Sequence, residues 1–393
     1  MEAAVLNMAV LDKNDEKEAE TERTAIAGKA EKAELAKEAK GAEIAGRAGS
    51  AGGAEIGEGA GKAESTGKAE STGKAEGAEI GEGAGKAESV QETKVIREAA
   101  KQQLSRYTHS LETALASYLP QCPPPESQVA EAMGYSLLGG GKRIRGALVL
   151  AFYHLYHEDI AAALPYAGAL EMIHAFSLIH DDLPCMDDDD LRRGKPSCHK
   201  AFGEAQALLA GDALLDLAFE VMTDPRYSRL FPAARVLQVV HCLARATGLG
   251  GMIGGQAIDL AQEGKSTPAK LLERMYKLKT GALLAVAAET GCILAGADRE
   301  ACRAAVEYAD YLGFAFQIKD DILDITGDAD LLGKPIGSDE ANGKTTFVRL
   351  YGLPAAQQEV DRLNTEAKKA LDKLPGDTRF LRELADMLVC RQN

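Results

Sequence analysis

The chain has 393 residues, a formal net charge of −15 and seven cysteines. Its acidic balance excludes general affinity for nucleic acid. The cysteines stand singly, at 122, 185, 198, 242, 292, 302 and 390 with no CxxC pair, which fits reduced thiols better than a disulfide framework.

Residues 1–94 form a low-complexity stretch of Ala, Gly, Glu and Lys. The first aromatic residue is Tyr107, the first proline Pro120 and the first cysteine Cys122. The block GAEIGEGAGKAES occurs at 53–65 and again at 77–89. No apolar face recurs with it, so the repeat is not that of a solenoid. A segment this poor in large apolar side chains cannot offset the entropy of ordering it, and a disordered tail is expected. The N-terminus is rich in acids and lacks an apolar leader, so neither a secretory signal nor a transit peptide is expected. No unbroken run of 18 apolar residues occurs, so no membrane span is expected. A cytoplasmic protein is the resulting expectation.

Residues 95–393 read as one large all-α domain. The windows 161–181, 204–222, 268–296, 298–325 and 357–374 are rich in Ala and Leu with apolar residues at helical spacing. Glycines and prolines fall between them, at 123–125, 139–141, 194–196, 264–268 and 333–337. Alternating strands joined by hairpin turns are not expected. Several of the windows lack a polar face, which places them inside a bundle.

Two acidic clusters carry the chemistry. The first is HDDLPCMDDDD at 180–190, six aspartates at the end of an apolar helix. Acids at a helix C-terminus are unfavourable, and six together repel one another. Taken alone, a solvated acidic loop accounts for them. The second is Asp320, Asp321 and Asp324 in YLGFAFQIKDDILDI. Their i, i+3 and i, i+4 spacing puts three carboxylates on one end of a helical face, among aliphatic residues. Two such clusters on separate apolar helices suggest one cavity holding several hard cations, with salt bridges inside the chain as the alternative. Oxygen ligands select Mg²⁺ or Ca²⁺, and Mg²⁺ is usually held by a few carboxylates with phosphate oxygens and water.

The basic residues are concentrated. Gly140 to Arg145 (GGKRIR) gives a turn followed by cations that can grip a phosphate. Arg192 and Arg193 follow the first acidic cluster, Lys279 and Thr280 sit in an apolar helix, and Lys334 follows the second cluster after one loop. Carboxylates, Mg²⁺ and Lys/Arg around an apolar pocket suit a diphosphate joined to a hydrocarbon. The glycines at 248–255 are read as close helix packing beside Gln256 and Asp259. His174 and His180 are not spaced as a zinc pair. Gly343-Lys344-Thr345 is not a P-loop, since Ser338 stands where that motif needs glycine.

With these motifs in place, residues 105–393 resemble the trans-isoprenyl diphosphate synthases, most closely the bacterial type that makes farnesyl diphosphate. The resemblance rests on GGKRIR at 140–145, HDDLPCMDDDDLRRGKPS at 180–197, GGQAIDL at 254–260, KTG at 279–281, FQIKDDILD at 316–324 and GDADLLGK at 327–334. It implies a homodimeric helical bundle with one cavity per subunit and no counterpart of the repeat tail. By this resemblance Asp181, Asp187 and Asp320 coordinate Mg²⁺ on the allylic diphosphate. Asp182, Asp321 and Asp324 supply further ligands or stand behind them. Arg192, Lys279 and Lys334 hold that diphosphate, and Lys142, Arg145, His174 and Arg193 bind isopentenyl diphosphate. Thr280 and Gln317 point oxygens at the forming carbocation.

Phe176, five residues before the first acidic pair, forms the floor of the chain pocket in this resemblance. Together with the Leu183-Pro184 insertion it points to a farnesyl product, with geranylgeranyl diphosphate as the alternative. A terpene cyclase with the same bundle, or a non-catalytic subunit of a heteromeric synthase, fits less well, because both acidic motifs and the basic site are intact.

Overall fold

Apolar, alanine-rich windows bounded by glycine and proline become helices in a computed structural model, which describes residues 81–327 and 344–391, with side chains from residue 94. These residues belong to one compact unit, Gly77–Asn393. Most of the expected tail, residues 328–343 with Lys334, and the last two residues lie outside the described residues.

The helices in chain order are α1 (Gly81–Tyr118), α2 (Ser127–Leu137), α3 (Ile144–His154), α4 (Leu164–Asp181), α5 (Cys198–Phe202), α6 (Glu204–Thr223), α7 (Pro225–Ser228), α8 (Ala233–Thr247), α9 (Met252–Gln262), α10 (Ala269–Tyr276), α11 (Ala282–Ala295), α12 (Arg299–Thr326), α13 (Phe347–Tyr351), α14 (Leu353–Ala370) and α15 (Arg379–Val389). The protein is an all-α bundle. Helix α1 runs across the compositional boundary at residue 95. Its C-terminal half buries Tyr107, Leu111 and Leu115, and once a helix is nucleated by such packing each added residue gains one backbone hydrogen bond.

One element departs from the all-helical expectation. Leu191–Arg192 and Lys195–Pro196 pair as a two-residue antiparallel hairpin, β1 and β2. Arg193 and Gly194 at its tip have φ of 55° and 73°, the double positive φ that a two-residue hairpin turn demands. Arg-Gly is not the usual Asn-Gly signal, so the pattern does not announce it.

Helices α4 and α11 are the innermost. Helix α4 packs on α3 and α6, and α11 on α3, α8 and α12. Both bury most of their residues because neither has a polar stripe. Phe152 and Tyr308, both fully buried, meet edge to face at 5.7 Å between α3 and α12, a geometry worth about 1 kcal/mol beyond area burial. A second core cluster of Leu272, Tyr276, Ile318, Ile322 and Phe347 ties the C-terminal part of α12 to α10 and α13, and so fixes Asp320 to Asp324.

By length and mean hydropathy three stretches are apolar enough to cross a bilayer: Ala161–Asp181, Ala233–Gln262 and Ala269–Ala295. Counting unbroken apolar runs misses them because single polar residues interrupt each. In this fold 72% of the first window and 67% of the third are buried in protein, against 33% of the second.

The turn before α3 is held by a buried ion pair. Arg143, at φ 49°, donates to the Leu137 carbonyl at 2.8 Å and lies 3.8 Å from Glu171 of α4. Glu171 accepts the Gly146 N–H at 2.8 Å. Both side chains are at most 3% exposed. Removing one partner of such a pair leaves the other charge buried. Glu171→Ala is expected to lower stability by about 3–5 kcal/mol, seen as an earlier midpoint in urea, with Glu171→Gln losing less.

Candidate active site

The six aspartates after α4 divide into two groups. Asp182 is buried and ion-paired with Arg192, whose Nε donates to it at 3.0 Å. Arg192 also reaches Asp189 at 3.3 Å. Lys200 pairs with Asp190 at 2.7 Å and lies 3.9 Å from Asp188, which His199 approaches at 3.8 Å. Asp181 and Asp187 have no ion-pair partner within 4.0 Å among the described residues. A tight turn brings them together, the Asp187 N–H donating to the Asp181 carbonyl at 2.9 Å. Salt bridges within the chain therefore account for four acids and leave two.

Asp181 faces a cavity of about 400 Å³ lined also by His174, Phe176, Met252, Lys279 and Thr280. Burial lifts its carboxyl to about 6, opposed by Lys279 and reinforced by Asp187. Asp182 is likewise raised by burial, against its hydrogen bond from Arg192.

Lys279 and Thr280 belong to a π turn, Lys277–Gly281, inserted between α10 and α11. Such widened turns redirect side chains and recur at functional sites. Helix α9 packs directly on this turn: a Cβ on Gly255 would lie 2.2 Å from the Lys279 nitrogen, so only glycine fits, and the glycines at 254–255 serve close packing. Lys279 Nζ donates to Asp259 at 2.6 Å. Burial works against its ammonium, but Asp259, Asp181 and Asp187 together hold it above its ordinary range. Thr280 donates to Gln317 Oε1 at 2.9 Å, joining the π turn to α12 one turn before the second acidic cluster.

Lys279 also lines a smaller cavity, of about 120 Å³, with Gln317, Asp321 and Lys344. The two cavities thus share this lysine, and through it the two acidic clusters adjoin. Within the second cluster Asp321 is buried and accepts from the Tyr276 hydroxyl and the Phe347 N–H, each at 2.7 Å. It supports α13 and α10 as well as the site. Asp324 is buried. Asp320 accepts from Arg391 at 2.5 Å, and Arg391 also donates to the Phe316 carbonyl at 3.2 Å and stacks 3.7 Å from the Phe316 ring.

Of the remaining expected residues, Arg145, His174 and Phe176 line the same cavity as Asp181, and Arg193 lines a smaller one with Asp182 and Arg192. His174 lies in the field of Arg145, Arg193 and Arg192, and burial, ahead of these cations, holds its imidazole well below the usual range. Arg145 stands in the field of Glu171 and Arg193. Arg193 folds back onto the Gly140 carbonyl. Lys142 stands in the field of Arg391 and Asp320. Phe176 is 5% exposed, lines the larger cavity and meets His180 edge to face at 5.6 Å. Lys334 lies outside the described residues.

Arg391 on Asp320 has no signal in the sequence, and Asp259 on Lys279 and Gln256 appear there only within GGQAIDL at 254–260, with no role assigned. The Gln256 side-chain amide lines the larger cavity, buried, with both its oxygen and its nitrogen lacking a hydrogen-bond partner. A buried amide of this kind is costly without a ligand or water.

Among the described residues no group of three His, Cys, Asp or Glu side chains could by itself hold a metal ion. The donor set nevertheless suits Mg²⁺. Asp181 and Asp187 are hard oxygen donors side by side, the first destabilised by burial, and Mg²⁺ takes one or two carboxylates and completes its shell with phosphate and water.

A helical bundle with a mainly apolar cavity, the Asp181 carboxylate in its wall and Arg145 and Lys279 beside it defines an enzyme that handles diphosphates on hydrocarbon chains. The model of the polyprenyl synthetase family matches residues 126–377. A farnesyl diphosphate synthase of Geobacillus stearothermophilus is 42% identical over 75% of this chain and 99% of its own. A chloroplastic geranylgeranyl pyrophosphate synthase of Arabidopsis thaliana is 45% identical over 75% of this chain and 82% of its own. The solved apo structure of an FPP/GFPP synthase from Zymomonas mobilis superposes with a TM-score of 0.67 at 38% identity, covering 75% of this chain and all of that one. The chain belongs to the polyprenyl synthetase family. It is a prenyltransferase.

An acid whose folded value lies above its unfolded one destabilises the fold as pH rises between the two, here from 3.8 to about 6 for Asp181. Asp181→Asn is therefore expected to raise the thermal midpoint of the metal-free chain at pH 7 and to leave it nearly unchanged at pH 4. Scanning fluorimetry in EDTA checks this; equal shifts at both pH values would contradict it.

Proposed function

We propose that the chain is a Mg²⁺-dependent synthase that joins isopentenyl diphosphate to dimethylallyl or geranyl diphosphate and stops at farnesyl diphosphate. The observation that carries the reading is Asp181, left without an ion-pair partner among the described residues in the wall of a mainly apolar cavity of about 400 Å³, with Asp187, likewise without one, held beside it by a backbone hydrogen bond. Mg²⁺ would be held by Asp181 and Asp187, with Asp320 as a further ligand once Arg391 leaves it. Asp182, Asp321 and Asp324 stand behind these. When bound, the ion neutralises the allylic diphosphate and makes it a better leaving group.

The chain's own groups do the rest. Lys279, with Arg192 and Lys334, takes the charge that builds on the departing diphosphate. The Thr280 and Gln317 oxygens, already linked at 2.9 Å, turn their dipoles to the allylic cation. Arg145, His174, Arg193 and Lys142 hold isopentenyl diphosphate. A neutral His174 donates one N–H there without adding another cation to a crowded set. The isopentenyl double bond attacks the allylic C1, a C–C bond forms, and the resulting cation loses a proton to the released diphosphate. Hydrocarbon walls keep water from the cation, and Phe176 closes the floor against a longer chain.

Incubation with dimethylallyl and isopentenyl diphosphates, with and without Mg²⁺, tests this directly: farnesyl diphosphate is expected only with the metal. Phe176→Ala is expected to shift the product beyond farnesyl length by chromatography, and an unchanged product would remove Phe176 as the stop. A wild-type product of geranylgeranyl length would favour the second reading, which the Arabidopsis relative supports.

A homodimer is part of the proposal. Large apolar side chains stand exposed on α6, α8 and the segment after it, with Leu209 at 50%, Leu237 at 68% and Leu249 at 81%, a concentration that marks an interaction face. Leu237→Asp is expected to convert a dimer into a monomer, as measured by light scattering after gel filtration.

A further inference from the structure

The wall of the larger cavity has a second layer that comes from another helix. Phe176 and His180 stand four residues apart on α4 and share one face. Helical side chains lean toward the N-terminus, so the imidazole lies over the turn that carries Phe176. The two rings meet edge to face at 5.6 Å, and both line the cavity that Asp181 also faces.

Helix α6 holds the imidazole from behind. Its Nε2 donates to the Leu208 carbonyl at 3.0 Å, and the Asp212 carboxylate lies 3.9 Å from the same nitrogen. Gly211 stands on the same face of α6 as Leu208. A Cβ on Gly211 would come within 3.0 Å of three atoms of the imidazole, Nε2, Cδ2 and Cε1. The ring therefore sits in a notch that exists because residue 211 has no side chain. Glycine inside a helix weakens it, and Gly211 is not one of the glycines with positive φ. What it contributes is space. Gly211 is not among the residues that line the cavity, so its influence there passes through the imidazole.

On the reading of this chain as a synthase of prenyl chains, we propose that His180 and Gly211 are positioning residues for product length. The notch at Gly211 draws the imidazole back from the hydrocarbon, and the imidazole braces Phe176 as the stop. The two residues then act in opposite directions. A side chain in the notch drives the ring into the cavity and shortens the space for the chain. Loss of the ring leaves Phe176 without its edge-to-face partner, and the floor yields to a longer chain.

The test is chromatography of the products that the full-length chain and its variants make from dimethylallyl and isopentenyl diphosphates with Mg²⁺. In Gly211→Ala the ratio of shorter product to the wild-type product is expected to rise about tenfold, the discrimination that one methylene in an apolar pocket commonly gives. In His180→Ala, products longer than that of the wild type are expected. The double variant Gly211→Ala/His180→Ala is expected to lose the excess of short product, because the added methyl no longer meets a ring. A role in helix packing alone would lower total turnover and leave product length where it was. Unchanged length in either single variant overturns the proposal, as does an excess of short product that persists in the double variant. His180→Ala decides the matter even if Gly211→Ala does not fold. A wild-type chain that makes no prenyl diphosphate removes the synthase reading and this inference with it, whereas an active wild type with unaltered variants removes this inference alone.

Discussion

Lys279 stands where an ammonium is costly to bury, and its position makes sense only through the carboxylates around it. Asp259 holds it directly, and Asp181 and Asp187 add their field. Without that lysine the acids at the mouth of a hydrocarbon-lined pocket would face one another with little to offset their desolvation. The close approach of α9 at Gly255, the π turn and the link from Thr280 to Gln317 can each be read as fixing this one side chain between the two acidic clusters.

The same balance governs the remaining charges. Four of the six acids after α4 are matched to Arg192, Lys200 and His199, cations placed by the small hairpin and the helix after it. Of the unmatched pair, Asp181 lines the cavity. Arg391, arriving from the far end of the chain, lies against Asp320 and the Phe316 ring. An internal cation thus rests where the proposed reaction would place a metal, and the two must exchange. Stability of the resting chain and readiness for a diphosphate therefore draw on the same carboxylates.

Much of this is legible in the residue pattern. The apolar run ending in His180-Asp181-Asp182, and Asp320 and Asp324 four residues apart, announce acids at the ends of helices buried in a bundle. The glycines beside Gln256 read as close packing, and Gly255 on Lys279 bears that out. Other features leave no such trace. A π turn differs from an α turn by one residue of backbone spacing, and KLKTG does not reveal it. The Arg193-Gly194 hairpin is formed without a strand pattern. Nor does Arg391, among the final residues, show any local sign of a partner 71 positions away.

What the sequence by itself determined is therefore what covalent geometry and helical period enforce within one element: that the folded part is a helical bundle, which helices lack a polar face, and that carboxylates cluster at two of their ends. The tertiary structure alone decided which carboxylate meets which cation. Asp182 goes to Arg192, Asp321 to Tyr276 and the Phe347 N–H, Asp320 to Arg391, and Asp181 to the cavity. The physical reason is that charge pairing acts over a few ångströms through space, and distances between separate helices are set only when their apolar faces pack.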